Sequence, residues 1–262
     1  MAESFREFER RGWEHAATAY ARSFADVTRG TIPRLLDATE TRKGTRLLDV
    51  ATGSGIVAGA ARDRGARPVG VDFSPRMAQM AANVAESVLG DVDALPFAAA
   101  SFEVALCNFG LLHFAHPERA VSEMARVLRR GGRAALTVWA PPEDDPFFAA
   151  IYRAIEKHAT RKPDVPPAAS FFHFADRDVF AALLSGAGLR DVRVERVAWQ
   201  ARVESARAFL DLFREGSVRT RAILLAQDQA ALARIEASVA SDLAPHGGLV
   251  PVSAVLAHAV KP

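Results

Sequence analysis

Hydrophobic positions in this chain alternate between short unbroken apolar runs and stripes recurring every three or four residues, with glycine, proline and small polar residues separating them. Thr45 to Val50 is an apolar run bounded by Lys43-Gly44 and predicts a buried strand. Ile56 to Asp63 is alanine-rich and predicts a helix stopping at Gly65. Arg67 to Asp72 predicts a second strand. Ser74 as N-cap and Pro75 at the first helical position then predict a helix through Met77, Met80, Ala81 and Val84. Ser87 to Gly90 and Phe102 to Asn108 read as the third and fourth strands. The helix opened by His116-Pro117-Glu118 has an apolar face of Ala120, Val121, Met124, Val127 and Leu128. Arg129 and Arg130 suit its negative end, Gly131-Gly132 would stop it, and Arg133 to Trp139 is the fifth strand.

This alternation predicts a doubly wound, mostly parallel α/β sheet that binds ligands at the carboxyl ends of its strands. The flanks differ. Residues 3 to 27 carry Trp13, Ala16, Ala17, Tyr20 and Phe24 at helical spacing, a stripe that fits either plain packing or a lid over a ligand. Thr31-Ile32-Pro33 opens a helix to about Ala38. From Pro141 the regular alternation stops: prolines, the acidic run Glu143-Asp144-Asp145 and a helix from Phe147 to His158 suggest an insertion. A helix from Asp176 to Leu184, a strand from Leu189 to Val197, helices over Glu204 to Glu215 and Ala222 to Leu243, and a last strand region, Leu249 to Val260, broken by Pro251, complete the pattern. One overall domain is expected: residues 1–40 as N-terminal helices, 41–142 as the ligand-binding core, and 143–262 as cap helices with the last strands.

At 262 residues, 50% hydrophobic and 24% charged, the composition is that of an ordinary globular chain. The net charge of +2, with arginines scattered rather than gathered into a stripe, gives no footprint for a nucleic-acid partner. The single cysteine, Cys107, sits in an apolar run and reads as a core residue. The charged residues 1–11 do not resemble a signal peptide, and no stretch approaches the roughly 18 apolar residues of a membrane span, so a soluble cytoplasmic protein with no membrane partner is expected.

The chemistry concentrates in Leu47-Leu48-Asp49-Val50-Ala51-Thr52-Gly53-Ser54-Gly55. A strand feeding a helix through Gly53 and Gly55 lets a ligand lie against the backbone, at the positive end of the new helix. Asp72 ends the next strand 19 positions after Gly53, where a carboxylate can accept hydrogen bonds from ribose hydroxyls. The Gly-x-Gly-x-x-Ala pattern by itself is compatible with NAD, FAD or S-adenosylmethionine.

Taken together, residues 47–142 resemble the class I S-adenosylmethionine-dependent methyltransferases, in the branch that includes ubiquinone/menaquinone and many natural-product methyltransferases. The glycine motif is followed in order by Gly70-Val71-Asp72-Phe73-Ser74-Pro75-Arg76-Met77, by Gly90-Asp91-Val92-Asp93-Ala94-Leu95-Pro96-Phe97, and by Leu128-Arg129-Arg130-Gly131-Gly132-Arg133. The resemblance implies a Rossmann-like seven-stranded sheet with N-terminal helices and a helical cap. It implies S-adenosylmethionine as cofactor, with S-adenosylhomocysteine as product. Gly53 and Gly55, with Ala51 beside them, would face the methionine part and Asp49 its amino group. Asp72 would hold the ribose. Phe73 would pack on adenine, with Met77 in the same motif, and Asp91 would accept from the adenine amino group beside the Val92 backbone. Asn108 and Phe109 would lie near the sulfonium, with Trp13 and Tyr20 closing over the cofactor.

Methyl transfer needs alignment and exclusion of water more than a protein nucleophile, although a phenol or thiol acceptor needs a base. His113 is the leading candidate, with Tyr20 as a hydrogen-bonding partner. His173 is a lesser one, and His116, before Pro117, suits a helix start better. His113-x-x-His116 lacks a third ligand at suitable spacing, so no metal is expected. The aromatic 147–213 region, including Phe147, Phe171, Phe172 and Phe209, suits either a cap core or a pocket for a flat acceptor. The expected partner is a small-molecule acceptor methylated on O, N or C, with a homodimer compatible and no nucleic acid. The alternatives are a binding protein that uses the same cofactor for other chemistry or for none, and a methyltransferase acting on nucleic acid or protein.

Overall fold

The computed structural model describes residues 3–262. In chain order these are α1 (Phe5–Arg22), α2 (Phe24–Thr28), α3 (Ile32–Ala38), β1 (Arg46–Val50), α4 (Ile56–Asp63), β2 (Arg67–Asp72), α5 (Pro75–Ala81), β3 (Glu86–Leu89), β4 (Phe102–Asn108), α6 (Pro117–Val127), β5 (Leu128–Trp139), α7 (Pro146–His158), α8 (Arg177–Gly186), β6 (Arg190–Arg202), α9 (Ala206–Gly216), α10 (Arg219–Leu225), α11 (Gln229–Leu243) and β7 (Leu249–Val260). The strands form one sheet in the order β3-β2-β1-β4-β5-β7-β6. Neighbours from β3 through β5 are parallel, and β7 runs antiparallel to β5. This is the Rossmann-like α/β class expected. Strand order reverses between β1 and β4, which places a ligand crevice outside their carboxyl ends.

The chain divides into two compact units. One comprises residues 31–139, 169–197 and 254–262, the other 1–30, 140–168 and 198–253. Residues 31–40 thus belong with the sheet rather than with the N-terminal helices. In the sheet-bearing unit, Leu35 and Leu36 of α3, Leu47, Val57, Leu106, Ala135 and Leu256 share one buried cluster. These are the inward positions of strands covered by helices, so the strand sequences are near-continuously apolar.

The other unit is built on aromatic packing. Phe147 of α7 meets Phe209 at 4.8 Å and Phe213 at 5.8 Å between ring centroids, and Phe24 meets Phe213 edge-on at 5.3 Å. Asp145, fully buried, holds the start of α7. Its Oδ1 accepts from the N–H groups of Phe147 and Phe148, and its Oδ2 from that of Ser253.

Several boundaries differ from the sequence reading. The α6 helix ends at Val127, and Leu128 is already extended and buried, so β5 begins five residues early. Lys261 is the reason. Its ammonium takes the Arg126 and Leu128 carbonyls, and its backbone pairs with Gly131 and Gly132. Arg129, expected at the helix end, instead pairs with Glu103 at 2.6 Å. Pro251 does not break β7, because it lies outside the 254–260 stretch paired to β5 and its missing N–H interrupts no bond there. The α5 helix stops at Ala81, and β6 runs on to Arg202. The long helix expected from Ala222 splits at Asp228, whose side chain caps α11 by accepting from Ala231.

Asp145→Ala strands three buried N–H groups in place of a cap and a cross-tie. Equilibrium denaturation is expected to show a loss of about 3 kcal/mol.

Candidate functional site

The β1–α4 turn is assembled around two buried carboxylates. Gly55 is the N-cap of α4 at φ +84°, a backbone state that favours glycine, and has no side chain with which to cap the helix. Asp49, at the end of β1, does so instead: its Oδ2 accepts from the Ala58 N–H at 3.1 Å and from the Thr52 hydroxyl at 2.7 Å. Asp72 closes the turn from the neighbouring strand, its Oδ2 accepting from the Gly53 N–H and its Oδ1 from the Ser74 N–H, both at 2.9 Å. The 19-residue spacing therefore has an internal use as well as the ligand role expected for it. Gly70 makes room for Thr52, whose side chain would lie 2.8 Å from a Cβ at that position.

Asp49 is 1% exposed and Asp72 6%. Burial holds the Asp49 carboxyl up at about 7, while the Thr52 hydroxyl and Ala58 N–H pull it down and the charge on Asp72 pushes it up. Ala51 and Gly53 also take positive φ, +54° and +56°, so the backbone of the turn is contorted over several residues.

Across the crevice, β4 ends in a second unusual turn. Asn108 Oδ1 accepts from the hydroxyls of Thr31 and Thr137, each at 2.7 Å. Phe109 is held at φ +59°, an uncommon state for an aromatic residue; its N–H donates to Thr137 and its ring stacks on Trp139 at 3.7 Å. Gly110 packs against the β1 turn, where a Cβ would come within 2.8 Å of the Ala51 methyl and of Cys107 Sγ. Burial pushes the Cys107 thiol up to about 12, so it fills space under this turn and is no nucleophile. His113 follows in a short 3-10 turn, half-buried, its ring 6.4 Å from that of Phe171.

The acidic loop after β3 is also ordered. Asp91 Oδ1 accepts from the Asp93 N–H at 3.0 Å, and Val92 is half-buried beside it. Phe73 is half-buried and Met77 buried, the latter donating its N–H to the Ser74 cap. The sheet-bearing unit thus gathers Asp49, Ala51, Gly53, Gly55, Asp72, Phe73, Met77, Asp91, Val92, Asn108, Phe109 and His113 at the carboxyl ends of β1 to β4. Trp13 and Tyr20 belong to the other unit, where their rings meet edge-on at 5.4 Å; Tyr20 stacks on Phe24 and its hydroxyl lies 3.3 Å from that of Thr28. His116 is exposed and bonds Asp93 at 2.7 Å, so it does not converge with His113.

The turn has room for a ligand against its backbone. Its backbone is pared to glycine at two positions of positive φ, and the buried Ser54 Oγ lacks a partner among the described residues. Thr31 and Thr137 escaped the sequence reading. Thr137, a lone hydroxyl within an apolar strand, was the available signal for one of them.

A family model described as "Methyltransferase domain" matches residues 48–136. A demethylmenaquinone methyltransferase of Renibacterium salmoninarum is 31% identical over 170 residues, 60% of this chain and 72% of that protein. The chain belongs to the class I S-adenosylmethionine-dependent methyltransferases of the ubiquinone/menaquinone type. An uncharacterized protein of Mycobacterium tuberculosis is also 31% identical, over 63% of this chain, and the match spans 60% of that relative's length. Among solved structures, a Haemonchus contortus phosphoethanolamine N-methyltransferase in complex with phosphomonomethylethanolamine and S-adenosylhomocysteine shares the fold. It has a TM-score of 0.52 at 20% identity, covering 88% of this chain and 52% of that one. Among the described residues of this family member, no helix is long and apolar enough to cross a membrane.

The raised Asp49 sets a pH dependence. Between its ordinary value of 3.8 and about 7, the folded chain holds a proton that the unfolded chain releases, so Asp49 makes stability fall as pH rises through this window and leaves it flat above. Asp49→Asn is expected to remove that slope, read as the difference between wild-type and variant unfolding free energies from pH 4 to 8. Gly55→Ala places a Cβ 3.1 Å from the Ala81 backbone at a left-handed φ. It is expected to cost about 1–2 kcal/mol or more in denaturant unfolding.

Proposed function

We propose that the protein transfers the methyl group of S-adenosylmethionine to an O, N or C atom of a small aromatic or hydrophobic acceptor. One observation carries the reading: the Gly53–Asp72 clamp and the Phe109–Trp139 stack lie at the carboxyl ends of adjacent strands on the two sides of the switch point. In this reading the Gly53 and Gly55 backbone receives the methionine part, with Ser54 Oγ as an added donor. Asp72 accepts from the ribose, Phe73 covers the adenine and Asp91 accepts from its amino group. Asp49 lies beneath the turn as a buried carboxyl held up at about 7, whose ionised form a cationic ligand end beside it would favour.

When bound, the cofactor supplies a methyl group on a sulfonium, already activated for in-line displacement. The chain's residues align and enclose the acceptor. Thr31 and Thr137 fix the amide of Asn108, and the Phe109–Trp139 slab offers a flat apolar wall. His113, with Phe171 against its ring, is the candidate to take a proton from a phenol-type acceptor. The relative's acceptor is named as demethylmenaquinone; an aromatic wall of this kind suits that class of molecule.

Calorimetric titration of S-adenosylmethionine and S-adenosylhomocysteine into the purified protein tests the reading, with Asp72→Ala and Phe73→Ala in parallel. Binding in the micromolar range, on the order of −8 kcal/mol, is expected for the wild type and at least tenfold weaker binding for both variants. Acceptor screening should then show S-adenosylhomocysteine formation that His113→Asn slows. No heat and no thermal shift with either ligand would overturn it.

A further inference from the structure

The α6 helix has two working faces. Ala120, Val121, Met124 and Val127 are buried in the core. On another side, His116 at the N-cap, Arg119, Glu123 and Arg126 follow one another at intervals of three, four and three residues, close to the period that keeps side chains on one face. All four reach residues 91–97, the acidic loop. His116 Nδ1 meets Asp93 Oδ2 at 2.7 Å, and Arg119 Nε donates to the Asp93 carbonyl at 2.8 Å. Glu123 Oε2 accepts from the Leu95 N–H at 2.8 Å. Arg126 donates to the carbonyls of Phe97 and Leu95, at 2.9 and 3.1 Å, and pairs with both oxygens of Glu123.

This arrangement is more than a surface ion pair. Three of the four side chains bond to the loop's backbone, which among the described residues has an isolated bridge, Asp91 to Ala94, and a bond from the Phe97 N–H to the Leu95 carbonyl of its own. A seven-residue loop without a ladder would lose roughly 1–2 kcal/mol of conformational freedom per residue on ordering around a ligand. Here that ordering is already in place. The Arg126 hydrogen bond holds the Glu123 carboxyl below its ordinary range, so the acceptor of the Leu95 N–H stays charged at neutral pH.

We infer that Glu123, with Arg126, Arg119 and His116, forms a positioning clamp. It presets the carboxylate of Asp91 and thereby determines that the site takes a 6-amino purine rather than a 6-oxo one. The inference rests on the adenine-side reading of residues 91–97 given above and extends it to α6. The chemistry is one of sign. An adenine 6-amino group donates to a carboxylate, whereas the 6-oxo group of hypoxanthine presents an acceptor to an acceptor and is repelled. The preference is therefore sharp only while the carboxylate is held in register, and blurs when the loop can move it aside.

The probes are S-adenosylhomocysteine and its deaminated analogue S-inosylhomocysteine, titrated calorimetrically into the full chain. The readout is the ratio of their dissociation constants, which uniform destabilisation does not change. Wild type is expected to favour the adenosyl compound by about tenfold or more, the weight of one well-placed charged hydrogen bond. Glu123→Ala removes the Leu95 acceptor and should cut the ratio severalfold. Glu123→Gln keeps a carbonyl oxygen for that N–H and should retain most of it. His116→Ala, at a side chain that is 63% exposed and cannot carry the fold, should cut it by a smaller factor. An unchanged ratio in Glu123→Ala and His116→Ala, with both compounds weakened alike or not at all, overturns the clamp. So does a wild type that binds both equally. A wild type that binds neither overturns the functional reading itself, a distinct result because the clamp variants then have nothing to be compared with.

Discussion

The contact on which the crevice depends is the hydrogen bond from the Gly53 N–H to the carboxylate of Asp72. Parallel strands are joined by ladder bonds along their length, but past their last residues the departing loops need restraint beyond single bonds such as that from the Thr52 N–H to the Val71 carbonyl. Asp72 supplies that restraint for β1 and β2 at once, because its other oxygen takes the Ser74 N–H where α5 begins. One side chain thus fixes the exit of β1, the exit of β2 and the start of a helix. Each of these in turn places a surface that the functional reading uses.

That economy has an electrostatic cost. Asp49 and Asp72 are both buried, and the charge on Asp72 disfavours that on Asp49. Neutral side chains of similar size could cap α4 and hold the turn with less penalty. What carboxyl groups add is a charge that changes with pH: Asp49, held up at about 7, ionises beside the glycine backbone of the turn only as the pH rises through that value. The positive end of α4 partly compensates that charge through the Ala58 N–H.

How much of this could be read from the chain follows from distance along it. Helix α4 and strands β2 and β4 stood where their apolar runs and punctuation put them, because period, proline and glycine act over a few residues. The early start of β5 did not, since it depends on Lys261, whose Nζ binds the Leu128 carbonyl 133 residues away. The site divides the same way. The glycine turn and Asp72 were legible as a spaced motif, whereas Thr31 reaches Asn108 across 77 positions and nothing local marks it. Arg126 shows how a local rule can be right about position and wrong about purpose. A basic residue near a helix C-terminus reads as a dipole partner, yet its guanidinium binds Leu95 and Phe97, and the ammonium of Lys261 takes the Arg126 carbonyl.

A common logic joins the three turns at the carboxyl edge. None holds itself. The β1 turn is held by a carboxylate from β2, the β4 turn by hydroxyls from β5 and the segment before α3, and the acidic loop by the polar side of α6. Each support comes from an element whose other contacts are in the buried core, so the precision of the sheet is carried to its loops by one intervening side chain. Loops so held can change their own exposed residues without losing their geometry. A single scaffold can then keep one end of the crevice constant while the other, around Phe109, Trp139, His113 and Phe171 and proposed above to face the acceptor, varies.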